Sequence, residues 1–469
     1  MVKKNYSSPE IVRKNTLAGL GAAALSVAPA ILSSCSGETP AISGGRPVRT
    51  KSWSPWPLWN PETDEAQFLE VLRSGVWSRS KVVAEFEKKW AETIGTSRCL
   101  AVINGTSAIT ASLVNLGIGG RDEVIVPPYT FVATVLSILQ TGAMPVFVDT
   151  DPETFQIDPE KIEAKITPRT KAILPVHILG LPADMESIMA IAENHNLFVV
   201  EDACQAWLAE INNKKVGSFG NAGCFSFQSY KNLPMGEGGA IVSNDEEFMD
   251  RCYSYHNYGT PYGTLIGDVG SGAVIAGTKL RLTEYQAAIG LAQMKKLDEQ
   301  TTTRSDNAAY LQSQLKKIPG ILPYELYKDV TRAAFHLFAF RYKKEEFEGL
   351  TRDEFQKALI AEGIPCTGGY APLNKMPFIA NAFKTRNYQK MYPPELLDYN
   401  KYMEQNQCPE NDKLCEEAIW FQQNMLLGDE SDMDDIVTAI EKIHRNAGKL
   451  KNMETLIQRI QRKEYDLTY

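Results

Sequence analysis

The chain has 469 residues, of which 43% are hydrophobic and 23% are charged, and both proportions are ordinary for a globular protein. This length exceeds what one hydrophobic core usually organises, so we expect a large domain and a smaller one. The net charge of -8 argues against a nucleic acid or an anionic membrane as partner, because both attract clustered positive charge. Any bound phosphate therefore needs a local site.

The first 35 residues have the pattern of a bacterial export signal. Four basic residues lie among the first fourteen positions, and an apolar stretch of sixteen residues follows at 17–32. That stretch is short for a membrane span but suits the core of a signal peptide. It ends in Leu32-Ser33-Ser34-Cys35, which resembles a lipoprotein processing site with Cys35 as the lipidated residue.

The pair Arg13-Lys14 resembles a relaxed twin-arginine signal, although a true signal of that type carries two arginines. We therefore expect an exported protein, either periplasmic or held at the membrane as a lipoprotein. Contact with a membrane is expected only through this N-terminal segment. The alternative is an unprocessed apolar helix at the N-terminus of a cytoplasmic protein.

Seven cysteines remain beyond Cys35, an odd number at irregular positions that is not a disulfide framework. No pair has the tight CxxC spacing of a zinc or redox site, so we predict no metal. Cys408 and Cys415 can either form a disulfide in an oxidising compartment or remain two partly buried thiols, since their spacing is also two helical turns.

Beyond the signal, residues 36–65 have the composition of a tether and an arm. From 66 to 300, short apolar runs alternate with helical patterns, which indicates a mostly parallel sheet covered on both faces. We therefore predict a large α/β domain at 66–300, a smaller α+β domain at 301–448 and an amphipathic helix at 449–469. The predicted strands are 99–103, 123–126, 145–148, 172–175, 197–200, 224–227 and 239–243, and the predicted helices are 107–116, 131–140, 185–195 and a long one from about 280.

Asp202 and Lys231 are the strongest candidates for catalysis. Asp202 ends an apolar strand, and parallel α/β sheets bind ligands at the carboxyl ends of their strands. Lys231 follows 29 residues later in a loop. Pyridoxal 5′-phosphate (PLP) needs a lysine amine for its Schiff base and a carboxylate facing its pyridine nitrogen. Taken alone, a lysine in a loop is more often a surface residue and an aspartate after a strand is more often a helix cap, so the surrounding pattern decides the assignment.

A phosphate site is predicted at Gly105, Thr106 and Ser107, where a strand gives way to a helix. Backbone N–H groups and a hydroxyl at a helix N-terminus can receive a phosphate there. Glycine lets the phosphate approach the backbone closely. Ser226, five residues before Lys231, adds a donor from a second strand end.

These stretches resemble the DegT/DnrJ/EryC1/StrS family of PLP-dependent sugar and cyclitol aminotransferases. The resemblance is nearly continuous from about residue 70 to 300 and looser to about 445. It implies the PLP-dependent transferase fold type I, like that of aspartate aminotransferase, and a homodimer with shared active sites. The residues that carry it are 104–108, 122–127, 129–134, 145–149, Val176, His177, Gly180, 201–206, 216–220, 226–232 and 281–288.

The resemblance also implies a role for each candidate residue. Lys231 corresponds to the lysine that carries PLP and moves the proton in transamination, and Asp202 to the partner of the pyridine nitrogen. Gln205 corresponds to the polar group beside the phenolic oxygen, and Phe131 to the aromatic ring that stacks on PLP. Phosphate contacts are implied for Gly105, Thr106 and Ser226.

Two positions depart from the family pattern. Lys279 stands near the place where many members have an asparagine that reaches the partner subunit's phosphate, and its cation can serve the same phosphate. Trp207 stands where small or polar residues are frequent, so it either narrows the substrate pocket or packs between subunits. One branch of the family replaces the lysine by histidine and dehydrates sugars, and Lys231 argues against that branch.

The sequence therefore predicts an aminotransferase that passes nitrogen from glutamine or glutamate to a keto-sugar or a keto-cyclitol such as scyllo-inosose. One alternative is another PLP reaction on a sugar, such as epimerisation or dehydration. A second alternative is a non-catalytic binding or sensory lipoprotein with the same fold.

Overall fold

The computed structural model describes residues 38–264 and 272–451. The predicted export signal at 1–35 and most of the predicted C-terminal helix at 449–469 lie outside the described residues. Among the residues described, helices are either too short or too polar to cross a membrane.

A central sheet of seven strands organises the first half of the chain, in the order β1-β9-β8-β5-β4-β2-β3. All neighbouring pairs from β8 to β3 are parallel, and β9 is antiparallel to both β8 and β1. The mostly parallel sheet predicted from the sequence is thus confirmed. Its strands are β1 (Arg98–Val102), β2 (Glu123–Val126), β3 (Met144–Phe147), β4 (Thr170–Ile173), β5 (Phe198–Asp202), β8 (Ala222–Ser226) and β9 (Gly239–Ser243).

Helices cover both faces of this sheet. Neighbouring strand residues point to opposite sides, and the apolar side chains on both sides are buried beneath these helices. On β5, Val199 belongs to the core on one face of the sheet, while Val200 belongs to the core on the other face. The helices in chain order are α1 (Pro61–Ser74), α2 (Lys81–Ile94), α3 (Gly105–Asn115), α4 (Val132–Thr141), α5 (Met185–His195), α6 (Glu246–His256), α7 (Glu284–Leu315), α8 (Arg352–Ala361), α9 (Pro377–Phe383), α10 (Arg386–Met391), α11 (Tyr399–Gln405), α12 (Pro409–Glu417), α13 (Glu430–Arg445) and α14 (Ala447–Lys451).

Smaller antiparallel sheets complete the described structure. One has the order β10-β12-β14-β13 and packs its hydrophobic side against α8 and α13. The other has the order β11-β6-β7. Their strands are β6 (Glu210–Ile211), β7 (Lys214–Lys215), β10 (Ile321–Pro323), β11 (Val330–Arg332), β12 (Leu337–Tyr342), β13 (Thr367–Gly368) and β14 (Ala418–Gln422).

Helix α7 connects the central sheet to the C-terminal region. Its first half packs against α1 and α2, and its second half packs against β10 and α13. The predicted domain boundary at 300/301 falls within this continuous helix. The division into two domains therefore remains a prediction.

The arm that precedes α1 packs along its own chain. The Arg49 guanidinium donates to Asp432 at 2.6 Å and to Asp435 at 2.8 Å. Further along, the Trp53 indole donates to the Gly363 carbonyl at 3.0 Å, and the Trp56 indole donates to the Lys231 carbonyl at 3.2 Å. The arm thus extends from α13 to the loop that holds Lys231.

Several element boundaries differ from the prediction because of capping. The helix predicted from 107 begins at Gly105, since the Asn104 side chain accepts the Ser107 amide at 2.8 Å. The helix predicted from about 280 begins at Glu284, after Thr283. Helix α6 was not predicted, because charged residues obscure its buried face; Asp245 caps it.

The structure also distinguishes the two alternatives for Cys408 and Cys415, a disulfide or two thiols. Cys408 and Cys415 are separate, buried thiols in the structure. The Cys408 thiol donates to the Asn406 carbonyl at 3.6 Å, and the Cys415 thiol donates to the Asn411 side chain at 3.7 Å. The thiol alternative therefore describes them.

Candidate active site

A cavity of about 480 Å³ lies at the carboxyl edge of the central sheet. The loops after β1, β2, β4, β5 and β8 meet there because these strands run in one direction. Strand β9 is antiparallel, so its first residue reaches the same edge. The lining residues are Asn104, Gly105, Thr106, Ile109, Thr130, Phe131, Ala133, Thr134, Val176, Asp202, Cys204, Gln205, Ser226, Gln228, Tyr230, Lys231, Glu237, His336 and Tyr370.

Asp202 supplies a buried carboxylate to this cavity. It is the last residue of β5 and is 5% exposed. Its Oδ2 accepts a hydrogen bond from Thr134 Oγ1 at 2.7 Å, and its Oδ1 accepts one from the Cys204 amide at 3.1 Å. The Thr134 hydroxyl lies 2.9 Å from that of Thr130. These contacts hold the carboxylate in one orientation at the cavity wall.

Lys231 supplies an amine from the loop between β8 and β9. Its backbone carbonyl is held by the Trp56 indole, and its Nζ lies 5.9 Å from the centre of the Trp207 ring. Burial lowers the pKa of the Lys231 amine, although the nearby Cys204 and Asp202 groups oppose this shift. The amine therefore loses its proton more readily than an exposed lysine does, and a nucleophile requires the unprotonated form.

The N-terminus of α3 forms a corner of the cavity that fits a phosphate. Asn104 caps the Ser107 amide, while the amides of Gly105 and Thr106 belong to a first turn without intrahelical acceptors. Ser226 at the end of β8 lines the same cavity. A Cβ at position 105 would lie 2.6 Å from the Cys204 sulfur and 2.9 Å from the Ser226 Cβ. Only glycine leaves this corner open, so the residues present fit the phosphate of PLP.

The substitution Gly105→Ala is therefore expected to weaken PLP binding by about 10- to 100-fold. The added methyl group must displace Cys204 or Ser226, and such overpacking costs about 1–3 kcal/mol. Fluorescence titration of the apoprotein with PLP measures the change. Gly119→Ala is the matched control, because a Cβ there meets nothing closer than 3.5 Å. Equal PLP affinity in both variants would contradict the assignment of the corner.

Phe131 provides an aromatic surface at the same cavity. It immediately precedes α4 and is 56% exposed, which is unusual for a phenylalanine of a large protein. Tyr230, next to Lys231, is 70% exposed. The cavity is therefore bordered by rings that the described residues leave uncovered.

Gln205 lies at the cavity but its amide is engaged within the protein. Its Oε1 accepts the Leu179 amide at 2.9 Å, and its Nε2 donates to Tyr370 Oη at 2.9 Å. Tyr370 follows β13, and His336 precedes β12, so both come from the C-terminal region. Tyr370, His336 and Thr134 were not predicted as site residues. Only Thr134 had a signal, since it lies one helical turn after Thr130 within the segment 129–134.

Three predicted residues lie elsewhere. Ser107 follows the phosphate corner but does not line the cavity. Lys279 is exposed and lies outside this chain's cavity, paired in a short bridge with Asn257. Trp207 is fully buried within its own subunit, with its ring 5.8 Å from that of His336. Neither expectation for Trp207 holds, because it supports the cavity from the core.

Glu201, the neighbour of Asp202, anchors the strand from the opposite face. It is fully buried and accepts hydrogen bonds from the amides of Gly217, Phe219 and Gly220 at 2.7–2.8 Å. His177 Nε2 lies 3.0 Å from Glu201, and its Nδ1 accepts the Ala183 amide, so Nε2 must carry the proton and donate. Four donors thus converge on one carboxylate beside the site.

The substitution Glu201→Gln is expected to lower the free energy of unfolding by about 3 kcal/mol. The amide N–H₂ of glutamine would face backbone donors and leave them unsatisfied in the core. Calorimetric melting compares it with Glu404→Gln, in which an exposed side chain changes in the same way. A melting temperature equal to that of the control would show that the network does not stabilise the fold.

The mostly parallel sheet, with a carboxylate, a lysine and a phosphate corner at its carboxyl edge, is the arrangement typical of PLP-dependent transferases of fold type I. Residues 60–441 match the DegT/DnrJ/EryC1/StrS aminotransferase family. The chain belongs to that family and is an aminotransferase. The resemblance noted in the sequence is thus confirmed.

Three relatives show the range of the family. An L-glutamine:2-deoxy-scyllo-inosose aminotransferase of Streptoalloteichus tenebrarius is 35% identical over 425 residues, which is 88% of this chain and 99% of the relative. The spore coat polysaccharide biosynthesis protein SpsC of Bacillus subtilis is 37% identical over 71% of this chain and 86% of its own. The structure of S. venezuelae DesV in complex with a ketimine intermediate is 32% identical, with a TM-score of 0.68 over 82% of this chain and 94% of its own.

Proposed function

We propose that this protein is a PLP-dependent aminotransferase that moves an amino group from glutamine or glutamate to a keto-cyclitol or keto-sugar. The observation that carries the proposal is one cavity lined by Asp202, Lys231 and the Gly105 corner. Membership of the aminotransferase family supports the type of reaction. The relatives named L-glutamine:2-deoxy-scyllo-inosose aminotransferases support glutamine as the donor and a keto-cyclitol as the acceptor. When bound, PLP supplies an electron sink, its protonated pyridine ring, and carries the amino group from one half-reaction to the other.

The residues have separate tasks in this proposal. Asp202 would pair with the pyridine nitrogen of PLP and favour its protonated form. Lys231 would hold the cofactor through its amine and would act as general base and then as general acid. Gly105, Thr106 and Ser226 would bind the phosphate, and Phe131 would provide an aromatic surface for the ring. The lowered pKa of Lys231 suits the proton transfer, because it leaves the amine unprotonated nearer to neutral pH.

The first experiment mixes PLP-loaded protein lacking residues 1–35 with glutamine and follows the visible absorbance in a single turnover. Bleaching of the band reports the donor half-reaction. Addition of 2-deoxy-scyllo-inosose or a keto-sugar should restore the band and yield an aminated product. If the acceptor reacts without an amino donor, the protein is an epimerase or dehydratase. If neither substrate changes the spectrum, the non-catalytic alternative is correct.

We also propose that the active enzyme is a homodimer with shared sites. The uncovered rings of Phe131 and Tyr230 border the cavity, and the exposed Lys279 has no role in its own subunit's cavity. A partner subunit would cover the rings and bring Lys279 to the phosphate. Mixing inactive Lys231→Ala and Lys279→Ala proteins should then restore activity, and sedimentation should give twice the chain mass. A monomer with full activity would refute the dimer.

We also propose export and lipid attachment at Cys35, on the sequence pattern at 1–35 alone. The test expresses the full chain with radiolabelled palmitate and separates membrane from soluble fractions. Label should appear in the membrane fraction and disappear in Cys35→Ser. A full-length chain in the cytoplasm that keeps residues 1–34 would refute the proposal.

A further inference from the structure

The wall that the C-terminal region adds to the cavity carries two polar side chains, Tyr370 and His336. Each ends a chain of hydrogen bonds that begins at the backbone. The direction of every bond in these chains can be assigned, because amide nitrogens only donate and carbonyl oxygens only accept. The assignment decides what each side chain offers to a ligand.

Tyr370 is left as a hydrogen-bond donor. The Leu179 amide donates to Gln205 Oε1, which fixes the Gln205 side chain with its Nε2 toward Tyr370. Nε2 then donates to the Tyr370 hydroxyl at 2.9 Å and occupies one of its lone pairs. Burial raises the pKa of Tyr370, so the hydroxyl keeps its proton. That proton has no acceptor among the residues described, and the side chain lines the cavity.

His336 is left as a hydrogen-bond acceptor. Asn232 Nδ2 donates to the Ala334 carbonyl at 2.9 Å, so its Oδ1 is the atom that faces His336. Oδ1 lies 3.3 Å from His336 Nδ1, which must therefore carry the proton. Burial, with the positive charges of Lys231 and Arg304, lowers the pKa of His336 well below its ordinary value. The ring is neutral, so Nε2 carries a lone pair, and the His336 side chain lines the cavity.

We infer that Tyr370 and His336 form a donor–acceptor pair that recognises hydroxyl groups of the ketone substrate. A hydroxyl can donate to His336 Nε2 and accept from Tyr370 Oη, so a polyhydroxylated ring satisfies both. A carboxylate cannot donate to the neutral imidazole, so this pair does not suit the carboxylate of an amino acid. The inference rests on the proposed function and adds which residues select the acceptor.

The test measures binding without turnover. The probe is scyllo-inositol, which carries the hydroxyls of a cyclitol but no ketone, titrated by calorimetry into the PLP-loaded protein. Tyr370→Phe and His336→Leu should each raise the Kd by about 5- to 10-fold, the usual range for one lost hydrogen bond to a ligand. His336→Gln restores an acceptor oxygen and should stay within about threefold of the wild type.

Tyr388→Phe is the matched control. Tyr388 donates to the Ala143 carbonyl at 2.8 Å, away from the cavity, so the loss of its hydroxyl should leave the Kd for scyllo-inositol unchanged.

A deoxy-inositol should bind the wild type more weakly than scyllo-inositol does, and Tyr370→Phe or His336→Leu should reduce that difference. Melting curves verify that each variant is folded. Tyr370→Phe keeps the ring that packs on Tyr129 and Trp420, so it provides a folded test if His336→Leu does not.

The inference is overturned if the wild type does not bind scyllo-inositol, or if both site variants bind it as the control does. Failure of the proposed function has a different signature. In that case glutamine does not bleach the wild-type spectrum. The difference in Kd for scyllo-inositol between Tyr370→Phe and Tyr388→Phe still tests whether Tyr370 and His336 bind hydroxyl groups.

Discussion

Lys231→Ala is expected to abolish transamination, with a loss of at least about 10³-fold in turnover. No other amine among the described residues that line the cavity can replace Lys231, since its remaining members carry hydroxyl, amide, thiol, carboxylate, imidazole or apolar groups. The same variant should still bind PLP through the phosphate corner and Asp202. The cofactor should therefore dissociate on gel filtration from the variant but not from the wild type.

The measurement is the visible spectrum before and after borohydride, beside single-turnover rates with glutamine. Wild type should show a band that borohydride removes while fixing the cofactor to the chain, and the variant should show neither. Lys328→Ala serves as the control, because that side chain is exposed and does not line the cavity. A Lys231→Ala protein that is still labelled after borohydride would assign the linkage to another lysine.

The sequence predicted those parts of the site that follow from local pattern. Asp202 and Ser226 end short apolar strands, and Gly105 begins a helix directly after one, so strand–helix alternation alone brings them to one edge. Lys231 needed more, because a lysine in a loop has many ordinary interpretations. The family resemblance supplied that assignment.

Tyr370 and His336 could not be found in this way. They reach the cavity through the antiparallel sheet β10-β12-β14-β13, whose pairings join segments far apart in sequence. Their local sequence has no alternation that points toward Lys231. Trp207 shows the opposite difficulty, since its identity suggested the pocket or an interface, while packing placed it in the core beneath Lys231.

The hydrogen-bond partners explain why a site residue can be recognised while its orientation is not. Gln205 was expected beside the cofactor, and its side chain lines the cavity. Its amide is nevertheless oriented by Leu179 and directed at Tyr370, both of which come from other parts of the chain. Residue type predicts which groups are present, whereas tertiary contacts decide which of them remain free to bind a ligand.

Asp202→Asn is expected to lower turnover by about 10²- to 10³-fold while leaving the fold intact. Asparagine has nearly the same shape, and its carbonyl oxygen can still accept from Thr134 or from the Cys204 amide. The change therefore removes the negative charge without creating a cavity. A neutral partner no longer favours a protonated pyridine nitrogen, so the electron sink weakens.

This prediction separates the role of charge from that of position. Thr134→Val is the matched comparison, because it removes one donor to Asp202 but keeps the carboxylate, and it should cost about 10-fold or less in turnover. The readout is the kinetic isotope effect of the donor step with glutamine deuterated at the α-carbon. In Asp202→Asn, removal of the α-proton should become rate-limiting, so this isotope effect should be large. An isotope effect equal to that of the wild type, together with full turnover, would mean that Asp202 only positions its neighbours and that the charge facing the cofactor comes from elsewhere.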